Sequence, residues 1–96
     1  MYKIIDGRGT GKTGRLMLLA KENNGTIACS NPKAMEEKAR RYGIFGIDFI
    51  SYWDLMTAVK EKTQYDNIFI DEIDVFIQYM LAEVGNVQGY TLSIED

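Results

Sequence analysis

Apolar and polar positions change their period several times along this chain, and each change marks an element. The opening Tyr2-Lys3-Ile4-Ile5 is apolar and runs into Asp6 and a glycine-rich stretch, which reads as a strand and a turn. From Lys12 to about Asn23, Leu16, Leu19 and Ala20 recur at helical spacing, Met17 and Leu18 widen the face, and Asn24-Gly25 stops the helix. Thr26-Ile27-Ala28-Cys29 reads as a short buried strand, parallel to the first because a helix joins them. Asn31 as cap and Pro32 at the first helical position begin a second helix, which ends near Tyr42 before Gly43 and has Met35, Ala39 and Tyr42 as its inner stripe.

Asp48-Phe49-Ile50 predicts another strand, and Ser51 with Asp54 is the signature of a capping box for a third helix, from Tyr52 to about Thr63. Its residues Trp53, Leu55, Met56 and Val59 are expected in the core. Asn67-Ile68-Phe69-Ile70 then forms a fully apolar strand that ends on Asp71 and Glu72. A fourth helix, Asp74 to Val84, is apolar around most of its circumference, so part of it is expected to face a partner subunit. Alternation returns in Tyr90-Thr91-Leu92-Ser93-Ile94, which predicts a last strand.

Composition narrows this picture. Apolar residues at 46% and charged residues at 26% belong to a globular chain, and 96 residues suit a single domain spanning 1–96. The lone Cys29 excludes a disulfide framework, and the absence of histidine removes imidazole catalysis and most transition-metal sites. No signal-peptide pattern and no membrane-length apolar run occur, so the expectation is a soluble, cytoplasmic protein with no membrane partner. Charge is uneven. Residues 1–45 carry nine basic and four acidic groups (+5), and residues 46–96 carry two and ten (−8). The basic half suits phosphate, and the acidic half suits metal binding or solvation. The acidic total weakens the case for nucleic acid as a partner. Lys33, Arg40 and Arg41 read either as phosphate or nucleic-acid contacts or as a solvated face, and Glu36 and Glu37 one turn before the arginines favour the second.

Candidate chemistry lies in two stretches. In Gly7-Arg8-Gly9-Thr10-Gly11-Lys12-Thr13-Gly14, glycines keep side chains out of a turn that opens a helix, so backbone N–H groups can converge on an anion at the positive end of the helix dipole. Lys12 adds a full charge for the β- and γ-phosphates, and the Thr13 hydroxyl suits the shell of Mg²⁺. In the second stretch, Asp71 is placed to hold the metal and Glu72 to polarise the attacking water, since neighbouring strand residues point opposite ways. Lys12 and Glu72 are therefore the candidate catalytic residues, and Thr13 and Asp71 the candidate metal ligands. Thr91 or Ser93 on the last strand would be a polar sensor of the γ-phosphate or an outward strand hydroxyl. Both carboxylates also admit a plainer role, ending a strand and opening a helix.

Gly9-Thr10-Gly11-Lys12-Thr13 resembles the Walker A loop of the P-loop NTPase superfamily, and Ile70-Asp71-Glu72 its Walker B segment in the RecA-like branch, where a catalytic glutamate follows the metal-binding aspartate. The order of motifs resembles the first motor domain of superfamily-one helicases and, more distantly, phage terminases. Ser30-Asn31-Pro32-Lys33-Ala34 looks like the helicase motif that meets the DNA strand, and Ile50-Ser51-Tyr52 like the next. Two departures stand out: Asp6 occupies the place of the first glycine, and nothing after the last helix is similar to the helicase Gly-Asp-x-x-Gln motif. The resemblance implies a three-layer α/β fold with about four or five mainly parallel strands and about four helices, the last strand lying between the loop strand and the Asp71 strand. It also implies ATP or another NTP with Mg²⁺ as ligands, NTP hydrolysis, and a place in an oligomer or a DNA-processing machine. Small single-domain phage proteins are similar in size. Two alternatives stay open, a non-catalytic module that contacts another protein and a small nucleoside or nucleotide kinase.

Overall fold

A computed structural model describes residues 1–7 and 9–93, so Arg8 of the loop and Ile94 of the expected last strand lie outside the described residues. The elements follow in the order α1 (Lys12–Glu22), β1 (Thr26–Cys29), α2 (Pro32–Arg41), β2 (Asp48–Ser51), α3 (Tyr52–Glu61), β3 (Ile68–Ile70) and α4 (Ile73–Leu81). The three strands form a parallel sheet ordered β2-β1-β3. Ile27 sits in register between Phe49 and Phe69, and all of β1 is buried.

Local chemistry sets the helix limits. The Asn31 side chain accepts from the Ala34 N–H at 3.1 Å, with Pro32 following, and α2 stops where Gly43 turns to φ +71°. There the Ile44 N–H returns to the Ala39 carbonyl at 2.9 Å and the Gly43 N–H to Arg40 at 3.0 Å, a Schellman closure that drives Ile44 into the core. At the end of α1, Asn24 takes the left-handed position at φ +51°, and the Gly25 N–H closes on Ala20 O at 2.7 Å. Ser51 and Asp54 form the full capping box of α3, with bonds of 3.0 and 3.3 Å.

Alternation along β1 splits the core in two. Ile27 and Cys29 join Met17, Ala20, Met35, Ala39, Ile44 and Phe69 on the side of α1 and α2, whereas Ala28 meets Tyr52 and Leu55 on the side of α3 and α4. The result is helices on both faces of a small sheet.

Three expectations change. Among the described residues the sheet has three strands rather than four or five. Segments 2–5 and 90–93 carry no ladder, because side chains make their contacts instead: the Tyr2 ring stacks on Phe69 with centroids 6.4 Å apart, and Lys3 Nζ donates to the Ser93 carbonyl at 2.6 Å. In α3 the buried stripe is Tyr52, Leu55 and Ala58, which leaves Trp53 63% and Val59 78% exposed. The capping box fixes the helix phase, and only one stripe can meet the sheet. Tyr42, expected on the inner stripe of α2, is the C-cap and lies 51% exposed.

The broad apolar face of α4 contains no buried residue. Phe76 reaches inward to the Tyr52 ring at 5.2 Å in an edge-on contact, while Val75, Tyr79 and Met80 stay partly exposed. Among the described residues, no helix is long and apolar enough to cross a membrane.

Candidate functional site

All three strands run the same way, so β3 delivers Asp71 to the same edge of the sheet that receives the start of α1. The glycine-rich loop shapes that start. Gly9 and Gly11 adopt φ +76° and +78°, a region costly for other residues, and Gly11 is the N-cap of α1. No side chain caps this helix end, and its first full-helix bond runs from the Arg15 N–H to Gly11 O at 3.1 Å. Among the described residues, the N–H groups before it make no bond within the helix and stand as donors at the positive end of the dipole.

Asp6 is turned outward into the loop's own framework. Its Oδ1 accepts from the Gly7 N–H at 2.9 Å, and its Oδ2 meets Arg15 at 3.4 Å. Thr10 Oγ1 donates to Gly7 O at 2.8 Å and closes the turn. Lys12 Nζ donates to Asp6 O and Gly7 O, both at 3.0 Å, so its charge is held over the loop backbone.

Across the site, Thr13 Oγ1 donates to Asp71 Oδ1 at 3.3 Å and joins positions 58 apart in sequence. Asp71 is half-buried. Its N–H extends the β1–β3 ladder to Ala28 O at 3.0 Å, and its own carbonyl accepts from the Tyr52 hydroxyl at 2.6 Å. Burial raises its carboxyl pKa above the usual value and Glu72 adds to the rise, while the Thr13 hydrogen bond and the charges of Lys38 and Lys12 oppose it. Glu72 is exposed and opens α4 from a left-handed backbone at φ +59°, ψ +69°. That turn separates the two carboxylates, Asp71 inward and Glu72 toward solvent.

Gly7, Gly9, Thr10, Gly11, Lys12, Thr13 and Gly14 thus line one loop and helix start, and Asp71 and Glu72 border it. Thr91 and Ser93 lie exposed on backbone outside the sheet, where the Ser93 carbonyl holds Lys3. Among the described residues, no group of three or more carboxylates, cysteines or histidines could cage a metal by itself. One hydroxyl and one carboxylate at 3.3 Å suit a hard cation that keeps waters and shares phosphate oxygens.

Two residues matter here that were not among the candidate site residues. Tyr52 clasps the Asp71–Glu72 turn, donating also to Glu72 O at 3.4 Å; the signal was its place right after a strand end and a capping serine. Lys38 on α2 brings a positive charge toward Asp71, and nothing in its helical pattern marked it. Cys29 is an inert neighbour. Burial and the Asp71 charge push its thiol up to about 11, and it donates weakly to Ile50 O at 3.7 Å. No protein-family model, no curated protein and no solved structure matches the chain.

Proposed function

We propose that the chain binds a magnesium nucleoside triphosphate, ATP or a relative of it, and hydrolyses it in the manner of a P-loop NTPase. The observation that carries this reading is the 3.3 Å contact of Thr13 with Asp71, which unites the two motif halves on one edge of a parallel sheet. Thr13 and Asp71 would hold Mg²⁺, which when bound offsets charge on the outer phosphates. The amides at the start of α1 take phosphate oxygens, and Lys12 exchanges its two loop carbonyls for them. Glu72, exposed beside Asp71, orients a water toward the γ-phosphorus and accepts its proton as the new P–O bond forms and the bond to the β-phosphate oxygen breaks.

A second reading, binding without turnover, draws support from Lys12 and Asp6, whose bonds keep the loop closed on itself. Titration with Mg-ATP, followed by phosphate release, separates the two. Lys12→Ala should lose nucleotide binding, and Glu72→Gln should bind but release no phosphate. If the wild-type protein binds Mg-ATP and releases phosphate no faster than Glu72→Gln, the second reading stands. Failure to bind Mg-ATP at all removes both.

A further inference from the structure

The C-terminal end of α2 leans on the first turns of α1. A Cβ at Gly14 would stand 3.5 Å from Cε2 of Tyr42, so this ring lies against the turn that follows Lys12 and Thr13. Leu18, one turn beyond Gly14 on the same stripe, is 53% exposed, and Tyr42 is 51% exposed. The Tyr42 backbone is nonetheless rigidly mounted. Its N–H is shared between Lys38 O and Ala39 O at 3.1 Å each, and the Schellman turn through Gly43 and Ile44 anchors the next residues in the core. Tyr42 thus stands on a fixed backbone, with one ring edge against Gly14 and about half of the residue open to solvent.

A triphosphate on the first-turn amides of α1, with its outer phosphates toward Thr13 and Asp71, can run its nucleoside end past Gly14, where the Tyr42 ring lies. We propose that Tyr42 is the platform on which the base of this nucleotide stacks, and that the site prefers purine nucleoside triphosphates. The proposal rests on the phosphate-binding reading of the loop. A tyrosine on a fixed backbone has only two side-chain torsions to lose on stacking, and the larger purine covers more of its ring than a pyrimidine does. Absence of a side chain at Gly14 leaves the ring's approach to α1 open.

Calorimetric titration of the intact protein with Mg-ATP, Mg-UTP and Mg-tripolyphosphate tests this. The wild type should bind Mg-ATP about tenfold or more tightly than Mg-tripolyphosphate, the size expected for one base–aromatic stack, and more tightly than Mg-UTP. Tyr42→Ala should bring Mg-ATP down to the level of tripolyphosphate and leave tripolyphosphate within about twofold of its wild-type value. Tyr42→Phe should keep the wild-type preference. Equal weakening of ATP and tripolyphosphate in Tyr42→Ala overturns the platform, as does a gap that persists there or a wild type with no gap. Equal binding of ATP and UTP overturns the purine preference. If the wild type binds none of the three, the phosphate loop itself is misread and the platform falls with it.

Discussion

The Tyr52 hydroxyl, at the first residue of α3, donates a 2.6 Å hydrogen bond to the Asp71 carbonyl at the end of β3. This bond crosses from one helix-bearing strand end to another and holds the turn that presents both acids. Burial raises the Tyr52 pKa from its usual 10.0 to about 12, and the charge of Asp71 adds to the shift. The donor therefore stays protonated throughout the neutral range.

Removal of that hydroxyl in Tyr52→Phe leaves the half-buried Asp71 carbonyl short of a donor and should cost about 1 kcal/mol in urea unfolding. The sign of the pH dependence follows from the raised pKa. Above pH 10 the unfolded chain loses the phenol proton first, so the advantage of wild type over Tyr52→Phe is complete below 10 and fades as pH rises toward about 12. An advantage that grew over that window would contradict the assigned bond.

Asp71→Asn should separate stability from ligand binding. Because burial raises the carboxyl pKa, the folded protein holds this proton more tightly than the unfolded chain, and ionisation at neutral pH opposes folding. The variant should melt higher than wild type at pH 7, with the difference shrinking as pH falls toward the ordinary carboxyl value of 3.8, while Mg-dependent nucleotide binding is lost. Calorimetric melting across pH 4–7 checks the first part, and titration with and without Mg²⁺ the second.

At Asp6 the prediction runs the other way. Its contact with Arg15 at 3.4 Å is solvent-exposed, so Asp6→Ala should change stability by less than about 1 kcal/mol. If the glycine-rich loop takes phosphate as proposed, removing a negative charge next to it should tighten Mg-ATP binding by about two- to fivefold at low salt, with the gain disappearing as ionic strength rises. Weaker binding would instead mean that the Gly7 N–H cap is needed to shape the loop.

Gly25→Ala tests the packing beneath the site. The new methyl would lie 2.5 and 2.6 Å from ring carbons of Phe69 and 3.3 Å from the Ala20 backbone, so β3 or the ring must shift. A loss of about 1–3 kcal/mol in urea midpoint is expected, and a smaller side chain at Phe69 in the double variant should recover part of it.

Helix boundaries were readable from residues 24, 31, 43 and 51 because caps and left-handed stops are local chemistry, settled within a few residues. Asn31, Ser51 and Gly43 act as their types suggest. Burial on α3 was less readable, since Trp53 and Leu55 are equally apolar and only the helix phase against the sheet decides which is covered. The end segments failed for a related reason. Alternation in Tyr2–Ile5 and Tyr90–Ser93 favours strands, but a strand also needs a neighbour's backbone, and there Tyr2 and Lys3 take up side-chain contacts instead. Thr13 and Asp71 could be paired in advance because each motif suggests the other's chemistry. The approach of Tyr42 to Gly14 could not be read in advance, because it depends on where the end of α2 lands on α1.

The left-handed backbone of Glu72 sets a conflict at one position. A residue other than glycine at φ +59° costs about 1 kcal/mol or more, and asparagine bears it more easily than glutamate. A population of variants screened for heat tolerance alone would drift toward Gly or Asn at 72, as it would toward Asn at 71, and would arrive at a sturdier protein with the acidic half of its site erased. Any thermal screen of this chain therefore needs a nucleotide-dependent readout beside it, or it will select against the two carboxylates on which the proposed chemistry depends.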